Sequence, residues 1–465
     1  MMEYVSTRGN APQMCFSQAV TCGLARDGGL LVPDHIPDLS DQLAALRKLP
    51  FLDLAYAIMR PYVDLPDREL TRLLRLSYGT FRDPHITPLV PVGDVHVLEL
   101  FHGPTLAFKD VALQFLGNLF SSLLASSGDV LNIVAATSGD TGSAAIYGVR
   151  GKPGMQIFVM HPKGRTSRVQ KLQMTTVLDD NVHNIAVDGT FDDCQHLVKS
   201  LFQDLAFRDQ FHLGSVNSIN WARVLAQITY FAYASLRLTD SERAARVRFS
   251  VPTGNFGDVF AGYVAARMGF PIAKLIVATN ENDILTRFFQ TGTYAATEVV
   301  STMSPSMDIQ VASNFERYLY YCLDCDGGQV MQSMQTFAKQ RSITLPHCFP
   351  AGEEPLLDAG AADREATLAT IRDTYQSTGY LLDPHTAVGY HVAQSWLHPD
   401  EPMVCLATAH PAKFPEAIRE ALGQDLAHHP VLDDLRDQPE RCMDLAVDVD
   451  ALKKLVARES ARFFA

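Results

Sequence analysis

Along the first 95 residues, apolar positions recur at helical spacing in Leu39 to Leu46, Phe51 to Tyr62 and Leu70 to Leu76. Among them the turn-rich Gly23-Leu24-Ala25-Arg26-Asp27-Gly28-Gly29 leads into a brief extended run, Leu30-Leu31-Val32-Pro33. From about residue 95 the pattern changes. Val95 to Phe101 reads as a strand and Asp110 to Leu124 as a helix, while Val130 to Ala136 is an unbroken apolar run, as expected of a strand covered on both faces. Strand, polar glycine turn and helix recur at Met155 to Met160 before Pro162 to Ser167, and at Asn184 to Val187 before Asp188 to Phe191. This succession predicts a parallel sheet with crossover helices. Arg248 to Val251, Leu275 to Ala278 and Met403 to Ala407 predict further strands, with helices up to about residue 340. Ala351 to Ala362, rich in glycine, alanine and acidic residues, predicts an exposed connection.

Length and composition narrow the classes. A chain of 465 residues exceeds one ordinary core, so two or three domains are expected. A 47% hydrophobic and 20% charged composition describes a soluble globular protein. The net charge of −13 argues against nucleic acid as a partner. No window approaches the roughly 18 apolar residues of a membrane helix, and Met1 to Gly9 carries no secretory pattern. Eight scattered cysteines suit reduced thiols in a cytoplasm. Cys322-x-x-Cys325 has no second pair and reads as packing, so no metal site is expected.

In open parallel sheets ligands bind beyond the carboxyl ends of the strands, so the chemistry is sought in the loops there. The first is Glu99-Leu100-Phe101-His102-Gly103-Pro104-Thr105-Leu106-Ala107-Phe108-Lys109-Asp110. Apolar company disfavours the ammonium of Lys109 and makes it a candidate amine nucleophile of the Schiff-base kind. The same lysine, taken alone, fits an exposed helix start. Thr137-Ser138-Gly139-Asp140-Thr141 offers hydroxyls at another helix start, for a carboxylate or phosphate or simply as a cap. Lys163-Gly164-Arg165-Thr166-Ser167 is a cationic turn, suited to a second phosphate or to solvent. Gly254-Asn255-Phe256-Gly257-Asp258 follows a strand and opens a helix, which makes a phosphate cradle. It is neither GxGxxG nor GxxxxGK[ST], and the chain holds no HExxH or GxSxG. A lysine, a phosphate cradle, a hydroxyl-rich anion loop and a cationic turn together meet the needs of pyridoxal phosphate (PLP).

These stretches resemble the threonine synthase family, as do Val251-Pro252-Thr253, Ser304-Pro305-Ser306-Met307-Asp308-Ile309 and Thr408-Ala409-His410-Pro411-Ala412-Lys413-Phe414. The similarity covers nearly the whole chain in order and is to the longer bacterial and fungal branch. It implies an α/β fold type II PLP enzyme, tryptophan synthase β-like, with two parallel-sheet domains and a mainly helical N-terminal domain. The implied division is 1–95 for the N-terminal domain, 96–110 with 206–465 for the large cofactor-binding domain, and 111–205 for a smaller mobile domain closing over the substrate. The implied reaction turns O-phospho-L-homoserine and water into L-threonine and phosphate. Lys109 would carry the Schiff base and serve as the base. Gly254, Asn255, Phe256, Gly257 and Asp258 would hold the cofactor phosphate, and Thr408 the ring nitrogen. Thr137, Ser138 and Thr141 would hold the substrate carboxylate, and Lys163, Arg165 and Ser167 the substrate phosphate. Lys163 stands where the family often has Arg. Ala387 to Gly389 is a small-residue variant of a Pro-His-x-Ala-Val stretch and is expected to be remote from the chemistry. The expected protein is a cytoplasmic monomer or homodimer acting on a small molecule, without metal, nucleic acid or membrane. A related PLP phospho-lyase or dehydratase on another hydroxy- or phospho-amino acid, and a catalytically silent homologue, are the alternatives.

Overall fold

The computed structural model describes residues 2–137, 139–240, 244–345 and 355–464. The chain folds as two compact units. One contains Met1–Arg75, Phe81–His102 and Ser218–Ala427, the other Leu76–Thr80, Gly103–Asn217 and His428–Ala465.

The first unit is built on a six-stranded sheet in the order Leu357–Ala361, Ile272–Thr279, Val247–Pro252, Met403–Ala407, Val95–Glu99, Leu89–Val92. Its ladders are parallel except at Leu89–Val92, which runs antiparallel at the edge. Val247–Pro252 and Met403–Ala407 are buried at every position, as the continuous apolar runs predict for strands covered on both sides. The helix Pro384–Gln394 packs closely on these two strands. A Cβ at Gly389 would stand 2.8 Å from Pro252 Cγ and 3.0 Å from Cys405 Sγ, so the small residue there is a condition of the approach.

One expectation is corrected at the sheet edge. Leu357–Ala361 is a strand, paired in parallel with Ile272–Thr279, and not an exposed connection; residues 351–354 lie outside the described ones. Its period of two was hidden because Asp358 and Gly360 alternate with the buried Leu357 and Ala359. Lys274, 3.4 Å away, answers the Asp358 charge.

The units divide the chain differently from the expected domains: the lysine loop 103–110 and residues 206–217, expected in the large domain, fall in the second unit, as do residues 76–80. Residues 1–75 pack within the first unit. Their short helices and the antiparallel pair Tyr4–Ser6 and Leu31–Pro33 are too small to enclose a core of their own. They bury against the long helix Trp221–Leu238, with Tyr4 on Trp221 at 5.9 Å and Phe51 on Tyr233 at 5.5 Å between ring centroids. The C-terminus, also expected in the large domain, falls in the second unit too. Met443–Leu445 adds an edge strand to the sheet of the second unit, and the helix Val449–Phe463 brings Leu452, Leu455 and Val456 into its core. A strand so short leaves no readable period in the sequence.

The second unit has a five-stranded, wholly parallel sheet in the order Met443–Leu445, Val182–Val187, Met155–Pro162, Leu131–Ala136, Leu213–Gly214. Among the described residues, no helix is long and apolar enough to cross a membrane, and no cluster of three or more His, Cys, Asp or Glu could hold a metal.

Candidate active site

In the first unit, Val95–Glu99, Met403–Ala407 and Val247–Pro252 are adjacent and parallel, so the loops after them leave from one end of the sheet. The loop after Val247–Pro252 turns into the helix Gly257–Arg267 at Phe256, whose backbone is left-handed at φ 63°. Such a conformation is uncommon outside glycine. A phenyl side chain cannot cap the helix, so the amides of its first turn are left for another acceptor. The loop is tied down from outside: Ser313 donates to Asn255 Oδ1 at 2.6 Å, and the Asn314 backbone donates to Asn255 O at 3.0 Å. Asn314 is held in turn by the fully buried Arg317, which also binds Leu31 O. Gly254 lies flat on the turn Pro305–Met307, where a Cβ would meet Ser306 O at 2.7 Å.

Asp258, in the first turn of that helix, is buried. Tyr230 donates to its Oδ1, while Oδ2 has no hydrogen-bond partner. Burial pushes the carboxyl up to about 7, against the opposing pull of the Tyr230 bond. An acid half protonated at neutral pH can donate to an anion where a carboxylate would repel it. Thr408, after the strand Met403–Ala407, is buried, and its N–H donates to Thr386 Oγ1 at 3.2 Å.

In the second unit, Lys109 is the first residue of the helix Lys109–Ser127. The loop before it is fastened by Asp110, which is fully buried and accepts from Thr105 N–H at 2.7 Å, Thr105 Oγ1 at 2.9 Å and Gln114 Nε2 at 3.3 Å. Leu106 is left-handed at φ 61° within this tight turn. The lysine does not snorkel to solvent: it is 8% exposed. Its Nζ lies 3.6 Å from Asp140 Oδ2 and 5.3 Å from the centre of the Phe108 ring. Asp140 was not singled out from the sequence, although it belongs to the predicted anion loop. Its Oδ1 accepts from Gln170 Nε2 at 3.0 Å, and Gln170 Oε1 accepts from Ser167 Oγ at 3.1 Å. Lys109, the Thr137 loop and Ser167 are thus joined by one chain of side chains. Gln170, in mid-helix, gave no sequence signal.

Thr137 Oγ1 accepts from the N–H groups of Gly139 at 3.0 Å and Gly142 at 2.9 Å, so what it offers a ligand is its O–H. Thr141 is partly buried, and Ser138 lies outside the described residues. Ser167 caps the helix Arg168–Thr175. Lys163 and Arg165 are exposed, and Lys163 is drawn to Asp444 at 2.7 Å rather than to the other predicted residues. A cavity of about 300 Å³ among Gln156, His183, Arg441 and Glu459 opens at the amino ends of the strands and contains none of these residues.

Comparison with known proteins agrees along the full length. Residues 3–78 match the family described as threonine synthase N terminus, 83–349 that of pyridoxal-phosphate dependent enzymes, and 386–456 that of threonine synthase, C-terminal. The chain is 46% identical to a threonine synthase of Pseudomonas aeruginosa over 99% of both chains. A PLP-bound threonine synthase from Brucella melitensis superposes with a TM-score of 0.94 at 46% identity, covering 99% of this chain and 100% of that one. The threonine synthase of Escherichia coli gives 0.82 at 32% identity, over 98% and 100%. In sequence and in fold, the chain belongs to the threonine synthase family of PLP-dependent lyases.

Proposed function

We propose that the protein makes L-threonine and phosphate from O-phospho-L-homoserine and water, with Lys109 as the residue that holds the cofactor and moves the protons. The carrying observation is the buried Lys109 ammonium facing Asp140 in a loop of hydroxyls at a helix start. The residues fit PLP on two counts. The uncapped turn at Gly257, with the unpartnered oxygen of Asp258 beside it, suits the 5′-phosphate. Lys109 supplies the amine.

PLP contributes an electron sink for negative charge developing on the substrate carbons next to the bound amine. The remaining work belongs to the chain. Gly254, Asn255, Phe256, Gly257 and Asp258 hold the phosphate, and Thr408 meets the ring nitrogen with a hydroxyl. Thr137, Ser138 and Thr141 orient the substrate carboxylate. Lys163, Arg165 and Ser167 receive the substrate phosphate. With its amine free, Lys109 would take the proton from Cα as a general base and serve again when the Cβ proton leaves. Asp140 steadies the ammonium of Lys109 between these steps. Phosphate would then depart from Cγ, and Lys109 would return one proton to Cγ. Water would add its hydroxyl at Cβ and give its remaining proton to the released phosphate, and Lys109 would return the second proton to Cα. The smaller α/β region closes over the substrate to keep out stray water. We assign the protein to the cytoplasm as a monomer or homodimer.

The test is an assay of the purified holoenzyme with O-phospho-L-homoserine, following phosphate and identifying the amino acid. Threonine and phosphate in equal amounts are expected. Ammonia release from threonine without this reaction would favour a dehydratase, and no turnover of either would leave a silent homologue.

A further inference from the structure

The stretch Asp383-Pro384-His385-Thr386 opens the helix Pro384–Gln394 and holds no role assigned above. Its three polar side chains are nevertheless all but sealed from solvent, Asp383 and Thr386 at 1% exposed and His385 at 3%. Asp383 caps the helix in the usual way, accepting from His385 N–H at 2.9 Å and Thr386 N–H at 3.2 Å. A cap needs no more than that, yet the same carboxylate makes two further bonds through side chains. His385 Nδ1 lies 2.8 Å from Asp383 Oδ1, and the Thr386 hydroxyl donates to Asp383 Oδ2.

Each of these side chains then reaches one loop of the candidate site. Thr386 Oγ1 accepts the N–H of Thr408 at 3.2 Å. His385 Nε2 accepts the N–H of Ser306 at 3.2 Å. A backbone N–H can only donate, so Nε2 is the acceptor and Nδ1–H faces Asp383. Ser306 carries the carbonyl on which Gly254 rests, with no room for a Cβ between them. The ring of Phe414 packs on that of His385 at 4.8 Å, edge to face.

We propose that Asp383 is a positioning residue with two arms: through Thr386 it sets the backbone of Thr408, and through His385 it sets the Ser306 turn beneath the Gly254 cradle. This rests on the assignment of Thr408 to the cofactor ring and of residues 254–258 to its phosphate. The two arms then govern different properties of the holoenzyme. Thr386→Val, which keeps the shape and removes the hydroxyl, lowers kcat roughly ten- to a hundredfold and moves the visible absorbance of the bound cofactor, while cofactor affinity holds. Thr386→Ser restores both. His385→Ala weakens cofactor retention on the order of tenfold without moving that absorbance in the loaded enzyme, and His385→Gln, with a donor and an acceptor, recovers much of it.

The experiment measures cofactor dissociation, absorbance spectrum, kcat and KM, and melting temperature for these variants, with Thr408→Val and Gly254→Ala beside them. Variants that lower only the melting temperature, or that shift every readout together, reduce Asp383 to an ordinary cap and overturn the proposal alone. If Thr408→Val and Gly254→Ala also leave spectrum and affinity untouched, the cofactor assignment itself falls and takes the proposal with it.

Discussion

Around Lys109, charge is answered by charge. The ammonium meets Asp140, Asp140 meets Gln170, and Gln170 meets Ser167, each side chain satisfied by the next. Around Gly254 to Asp258 the means are different. The loop is shaped by its backbone, by a left-handed Phe256 and by a carbonyl pressed against Gly254, and its one acid keeps an oxygen without a partner. On the roles proposed above, the reactive amine would have to change charge and move, so side chains that tolerate both states would suit it. The cofactor phosphate would keep its charge and place, so fixed amides would suffice for it.

The largest expected effect comes from removing the amine. Lys109→Ala should cost on the order of a thousandfold or more in turnover, the range expected when a general base is lost. It also removes the cation facing the buried Asp140, which keeps its bond from Gln170, and should lower stability by about 3–5 kcal/mol unless the acid takes up a proton. Circular dichroism and a melting curve report whether the fold survives. Threonine formation at the normal rate would end the mechanism proposed for Lys109.

Asp258 is next, because the contrast depends on its acid staying uncompensated. Its folded value of about 7 lies above the ordinary 3.8, so the folded protein binds the extra proton between those values. Stability therefore falls as pH rises through that window, and Asp258→Asn removes the loss. The variant should be more stable than the parent by on the order of 2–4 kcal/mol at pH 8, with the gain fading toward pH 4. Melting curves across that range check it, and a constant difference would show that burial is not the cause.

Gly254→Ala tests the backbone side of the comparison. The new Cβ would stand 2.7 Å from Ser306 O, a backbone atom with little freedom to yield. A cost of about 1–3 kcal/mol is expected, read as weaker cofactor binding with the spectrum of the loaded enzyme unchanged. Unchanged affinity would mean that the cradle lies elsewhere.

How much of this was legible follows the same divide. Gly254, Asn255, Gly257 and the lysine loop announce themselves because turns and helix starts demand particular residues close together in sequence. Gln170 and the His385–Ser306 bond stay silent, since they join residues 30 and 79 positions apart from their partners and look like ordinary helix residues. The strand Leu357–Ala361 was lost to Asp358 and Gly360, whose environment only the neighbouring Lys274 and the sheet edge explain. Asp140 was visible but idle until Lys109 was found beside it.

The smallest effect is expected at the other lysine. Lys163 meets Asp444 at 2.7 Å, closer than Lys109 meets Asp140, but both partners are more than half exposed. Water and salt screen such a pair, so distance is a poor guide to its worth. Asp444→Asn should leave the melting temperature unchanged. It should also release Lys163 toward the substrate phosphate and lower KM for O-phospho-L-homoserine by roughly twofold at low salt, with the difference vanishing at high salt. A fall in melting temperature would mean that the pair pins the strand Met443–Leu445 in place. Lys163 would then be a structural tie, leaving Arg165 and Ser167 to receive the phosphate.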